Sequence, residues 1–144
     1  MTEIVQAPVG ANFYDCRIRV RYAETDQMRF VYYANHFVYY EVARTEWLAS
    51  KGLPYHVLES TGFAIPVLEA HCAYRSPARY GDELLVRVAP RIDGPRIRFD
   101  YRTHRGSPEG ELLAEGWTVH VCMDREGKPR RPSAELREIL ERHG

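Results

Sequence analysis

Residues 23–33 crowd Glu24, Thr25, Asp26, Gln27 and Arg29 into a loop that runs straight into the aromatic stretch Phe30-Val31-Tyr32-Tyr33 and then into a helix. A loop carboxylate in that place has two chemistries open to it. It can accept local backbone N–H groups, as Asp does in turns, or it can serve as a general base or nucleophile. The helix that follows offers uncapped N–H groups and the positive end of its dipole, the equipment that stabilises a developing oxyanion. On residue type alone the turn reading of Asp26 comes first.

Of the twenty basic residues, eighteen are Arg and only Lys51 and Lys128 are Lys. The planar guanidinium suits phosphate and carboxylate recognition, although a codon bias toward Arg produces the same composition. Twenty acidic residues balance the basic ones, which removes the electrostatic excess that non-specific nucleic-acid binding needs. Cys16, Cys72 and Cys122 are odd in number and lack metal-ligand spacing, as do His71, His104 and His120, so no metal or organic cofactor is expected. The amino-terminal residues show no secretory pattern and no apolar run approaches the roughly 20 residues of a membrane helix. The expectation is a reduced, cytoplasmic protein with neither nucleic acid nor membrane as partner.

The elements that must position these groups are legible from periodicity. Residues 1–12 read as a loose arm and 13–144 as one domain, large enough at 44% hydrophobic residues to bury a single core. Cys16, Ile18, Val20 and Tyr22 alternate with Asp15, Arg17, Arg19 and Arg21, a strand with one buried face. A helix follows over residues 34–51, with Asn35 as its N-cap and Gly52 then Pro54 as its stop. Its apolar residues Phe37, Val38, Tyr39, Tyr40, Val42, Ala43, Trp47 and Leu48 cover more than one stripe, so other structure should wrap it. Within it, Glu41 and Arg44 at i, i+3 read as an ion pair or structural hydrogen bond.

A short helical segment over 55–60 precedes four extended runs, 63–74, 82–92, 96–104 and 111–123, the last three joined as antiparallel hairpins by Asp93-Gly94-Pro95 and Gly106-Ser107-Pro108. A charged helix to about residue 142 closes the chain as a surface element. The class is α+β, an antiparallel sheet on one central helix. Such a sheet buries one face on its helix, and its other face and edges argue for an oligomer.

Arg21-Tyr22-Ala23-Glu24-Thr25-Asp26, Val31-Tyr32-Tyr33-Ala34-Asn35 and Glu41-Val42-Ala43-Arg44 together resemble the signature of the 4-hydroxybenzoyl-CoA thioesterase family, including its YbgC-type members. The likeness extends through Ile65-Pro66-Val67 and through the run from Tyr74 to Leu84, and so covers residues 13–125. It implies a hotdog fold, a five-stranded antiparallel sheet wrapped around the long helix, pairing across a two-fold into a dimer and often a tetramer. It also implies acyl-CoA thioester hydrolysis at the dimer interface, coenzyme A being part of substrate and product. Asp26 would be nucleophile or general base, and the Tyr33 backbone amide would hold the oxyanion. Tyr32, Asn35 and His36 are candidates for substrate binding, His36 as a group behind the residues that touch substrate or as simple packing.

Arg29 stands where the family usually has Gly. It could narrow the acyl pocket, reach an acidic acyl group, pair with Asp26 or face solvent. Arg75 and Arg79 are the candidates for the coenzyme A phosphates, with Arg96, Arg98 and Arg102 as additions. Two alternatives stand beside the acyl-CoA thioesterase: a hotdog domain that binds acyl thioesters without turnover, and an acyl carrier protein thioesterase.

Overall fold

The structure, a computed structural model, describes residues 12–60 and 63–143. Of the expected arm, residues 1–11 lie outside that description. Strand β1 (Tyr14–Arg19) is followed by a 3-10 turn (Tyr22–Glu24), helix α1 (Asn35–Ser50) and a short α2 (Tyr55–Ser60). Four strands come next, β2 (Val67–Tyr74), β3 (Glu83–Asp93), β4 (Arg96–Arg105) and β5 (Leu112–Met123). A two-residue strand, β6 (Pro129–Arg130), and α3 (Ala134–His143) complete the order.

All pairings are antiparallel and the sheet runs β1-β3-β4-β5-β2, with β6 added on β5 beyond the five strands expected. The alternation seen in the sequence determines which face turns inward. Ile97, Phe99, Tyr101 and Thr103 of β4 are buried beside Val86 and Val88 of β3. Against them α1 lays Tyr39, Tyr40, Ala43, Trp47 and Leu48, with the Tyr40 and Tyr101 rings stacked at 4.1 Å and Trp47 edge-on to Phe99 at 5.9 Å. Burying each large side chain of this kind contributes about 1.5–3 kcal/mol. A sheet curled around one long helix is the hotdog architecture.

Gly116 is required where β2 pairs with β5, because a β-carbon there would collide with the His71 carbonyl oxygen. Gly52, at φ 82, ends α1: its N–H reaches Ala49 O and the Leu53 N–H reaches Leu48 O, the paired bonds of a left-handed helix stop.

Five details depart from the sequence reading. Tyr22 is 77% exposed, because the chain leaves β1 at Arg19 and turns before the alternation can continue. Strand β2 starts at Val67 and not at 63, after Pro66, which has no N–H to give a ladder. Asn35 is the first helical residue and Ala34 the cap; the Asn35 side chain instead donates to the Glu24 carbonyl oxygen at 2.9 Å. Arg44 reaches the Tyr101 hydroxyl at 3.4 Å, and no ion pair joins it to Glu41 among the described residues. The surface helix α3 is half core: Leu136 and Leu140, four apart on one face, are buried in the cluster that holds Trp47 and Val88.

Candidate active site

The loop ahead of α1 is tied together by Glu24. Its carboxylate accepts the Arg21 backbone N–H at 2.9 Å and the Tyr39 hydroxyl at 3.0 Å, and pairs with the Arg21 guanidinium at 3.2 Å. Its own carbonyl accepts from the Tyr32 N–H and the Asn35 side chain, both at 2.9 Å. One residue thereby joins the loop to the first and second turns of the helix. Burial, more than the Glu24 carboxylate beside it, pushes the Tyr39 hydroxyl well above its ordinary pKa.

Between Thr25 and Val31, which bridge one another, the chain makes a tight reversal. The Asp26 N–H donates to Phe30 O at 2.8 Å and Arg29 N–H to Asp26 O at 2.9 Å. The Asp26 side chain closes the turn from inside: its Oδ1 accepts the Met28 N–H at 2.8 Å and the Phe30 N–H at 3.2 Å. The turn reading and the chemical reading of Asp26 are therefore compatible, since one carboxylate oxygen serves the backbone while Oδ2 makes no hydrogen bond among the described residues.

At the helix start Asn35 N–H donates to Tyr32 O and His36 N–H to Tyr33 O. Among the described residues the Tyr33 N–H, on the residue before the Ala34 cap, has no partner. From across the sheet edge the Tyr74 hydroxyl of β2 donates to Tyr33 O at 3.0 Å. These groups surround an open cavity of about 530 Å³, walled by Asp26, Phe30, Tyr32, Tyr33, His36 and Tyr74, with Arg75 at its rim. That volume suits a ligand of drug size. Burial holds the His36 imidazole neutral, its pKa lowered to about 4.

The structure brings Asp26, Tyr32, Tyr33, His36 and Arg75 to one cavity, while Asn35, Arg29 and Arg79 lie outside its wall. Asn35 works behind it as a tether. Arg29 is exposed and forms no ion pair with Asp26 among the described residues. Its φ of 67 lies in the left-handed region, which explains why glycine suits the position. The Arg79 guanidinium lies over the Phe30 ring at 5.3 Å.

Arg75 lies 3.5 Å from Glu115. Arg98 does not suit a phosphate: it is 11% exposed in its side chain, stacked over Trp117 and paired with buried Asp100 at 3.1 Å. Arg96 borders a separate hollow with Arg130 and Arg131, and Arg102 lies with Arg96 and Arg98 on the sheet face turned away from α1. Sequence reasoning missed the roles of Glu24 and Tyr74. The spacing of Glu24 three residues after Arg21, from which a carboxylate reaches back to a backbone N–H, was the available signal for the first; nothing local marks the second.

Other nucleophiles are set aside by their surroundings. Burial pushes the Cys16 thiol up to about 12 and the Cys122 thiol up to about 11, and also raises Cys72, so all three stay protonated near neutrality. His120 is locked in the interior, bonded to Ile65 O at 3.0 Å and to the Thr118 hydroxyl at 2.8 Å.

Residues 20–140 match the sequence profile of the thioesterase-like superfamily. The chain is similar to the putative acyl-CoA thioesterase YneP of Bacillus subtilis, 38% identical over 76% of this chain and 78% of that protein. Among solved structures it is similar to the hypothetical protein TT1821 from Thermus thermophilus, with a TM-score of 0.84 and 39% identity over 90% of this chain and 98% of that one. It is likewise similar to Slr0204 from Synechocystis, a 1,4-dihydroxy-2-naphthoyl-CoA thioesterase, with a TM-score of 0.82 and 27% identity over 89% and 95% of the two chains.

Proposed function

The chain belongs to the thioesterase-like superfamily, and from that premise we propose that it hydrolyses acyl-CoA thioesters to the free acid and coenzyme A in the cavity at the start of α1. The observation that carries this reading is the presence on one cavity wall of the Asp26 carboxylate and of Tyr33, whose N–H has no partner among the described residues.

The thioester carbonyl oxygen would accept the Tyr33 N–H, where the helix dipole also favours negative charge. Asp26 Oδ2 then either removes a proton from the attacking water or itself attacks the carbonyl carbon to form an anhydride that water opens. Both routes add one water, break the C–S bond and leave coenzyme A as a thiolate that takes up the proton. A thiolate leaves readily, so no strong general acid is needed. No step calls on a metal or organic cofactor.

Arg75, a cation among the residues that line the cavity, is the candidate for a phosphate of coenzyme A. Pairing through the edge strand β2 into a dimer or dimer of dimers is part of the proposal. It is supported by the apolar side chains of Val67 and Leu68 that β2 exposes. Free-thiol release across a panel of aliphatic and aromatic acyl-CoA substrates, with acyl carrier protein thioesters in parallel, tests the activity. No turnover of any thioester by the wild-type protein would leave binding alone.

A further inference from the structure

Glu24 lies two residues before Asp26 and outside the cavity wall. Its side chain is only 13% exposed, a setting in which a carboxylate is costly unless its oxygens are met. They are met unevenly: Oε2 faces the exposed Arg21 guanidinium, while Oε1 accepts both the Arg21 N–H and the hydroxyl of Tyr39, a core residue 1% exposed. The Tyr39 bond therefore runs from the loop to an anchor that packing holds still. The loop needs one. Its two arms, 24–26 and 30–32, meet in a short ladder in which the Asp26 N–H donates to Phe30 O and the Tyr32 N–H to Glu24 O. A ladder this short does not keep its shape alone. The second arm is fastened to the fold by the Val31 N–H, which donates to Ala78 O. The first arm, which carries Asp26, is fastened through Glu24, by its carboxylate to Tyr39 and by its carbonyl to the Asn35 side chain.

We propose that Glu24 is a positioning residue for the hydrolysis: clamped on the Tyr39 hydroxyl, its carboxylate fixes the Asp26 arm against the start of α1 and so sets the approach of Asp26 to a carbonyl held at the Tyr33 N–H. The inference rests on the thioesterase reading and adds to it a pair of residues, Glu24 and Tyr39, that act from outside the cavity wall. Displacing a reacting group by about 1 Å costs about 10²-fold in rate. Loss of the clamp therefore appears in kcat. KM, which reports the wall and the coenzyme A contacts, stays nearly constant, because neither residue lines the cavity.

The test measures kcat and KM separately on an acyl-CoA that the wild type hydrolyses, in Tyr39→Phe, Glu24→Ala, the double variant and Glu24→Gln. Tyr39→Phe removes one oxygen and keeps the ring that packs edge-on against His36. It and Glu24→Ala should each lower kcat by about tenfold or more with little change in KM. The double variant should be no slower than Glu24→Ala, because both changes break the same bond and their effects do not multiply. Glu24→Gln keeps an oxygen for the Arg21 N–H and the Tyr39 hydroxyl, losing only the exposed guanidinium pair, and should recover most of the lost kcat. A kcat in Tyr39→Phe equal to that of the wild type overturns the assignment. So do losses that multiply in the double variant, a change confined to KM, or a Glu24→Gln variant as slow as Glu24→Ala. Should Glu24→Ala fail to fold, Tyr39→Phe and Glu24→Gln decide. A wild type that hydrolyses thioesters beside an unimpaired Tyr39→Phe removes the clamp alone, whereas no hydrolysis of any thioester removes the thioesterase reading with it.

Discussion

The Tyr74 hydroxyl donates to the carbonyl oxygen of Tyr33 over 3.0 Å, joining the last residue of β2 to the peptide that opens α1. These residues are 41 apart in the chain, and their rings also meet edge-on at 6.3 Å. The bond holds the peptide plane directly after the proposed oxyanion amide. The Tyr32–Tyr33 peptide, which carries that amide, is held in turn by the Asn35 N–H.

Tyr74→Phe should therefore lower kcat about tenfold, the cost of slackened geometry at a reacting carbonyl, while stability falls by only about 0.5–1.5 kcal/mol. Steady-state kinetics and urea unfolding on the same variant check both. A kcat equal to that of the wild type would show that the Asn35 tether suffices.

Asp26→Asn keeps an oxygen able to accept the Met28 and Phe30 N–H bonds, so the loop should persist and the melting temperature should be nearly unchanged. Thiol release should fall by about 10²- to 10⁴-fold, since an amide neither accepts the proton from water nor attacks effectively. Retained turnover would move the chemistry elsewhere on the wall.

Arg29→Gly should stabilise the protein by about 1 kcal/mol, because the left-handed backbone penalises any residue with a β-carbon. Arg29→Ala keeps the β-carbon and should gain almost nothing. Thermal melts of the two variants side by side distinguish backbone relief from loss of the guanidinium, with about 4 °C expected for the glycine variant.

His36 and His120, each lowered to about 4 by burial, give stability a defined pH dependence. Between about 6.5 and 4 the unfolded imidazole takes up a proton that the folded one refuses. Stability therefore falls as pH drops through that window and is unaffected by these groups above it. Asp100, raised by burial against the pull of Arg98 and Arg91, acts with the opposite sign at the acidic end. Urea midpoints from pH 7.5 to 5 should decline in the wild type and decline less in His36→Phe, which has lost one of the two refusing groups.

The hotdog arrangement came from the resemblance to the thioesterase family. An antiparallel sheet on one central helix was legible in the sequence itself, because strand alternation, turn chemistry and the Gly52 stop are local properties that the chain carries in short stretches. The same is true of Asp26 and the helix start, seven residues apart in one loop. What the sequence left open are the relationships across distance. The Tyr74 bond to Tyr33, the burial of Leu136 and Leu140 of α3 in the core and the pairing of Arg98 with Asp100 each depend on which strands become neighbours and which sheet face turns inward. His36 is the clearest case, since nothing in its own neighbourhood distinguishes a packed imidazole from one left unpaired at a cavity wall. That difference exists only once β2 has brought Tyr74 against the first turn of α1 and excluded water from the ring.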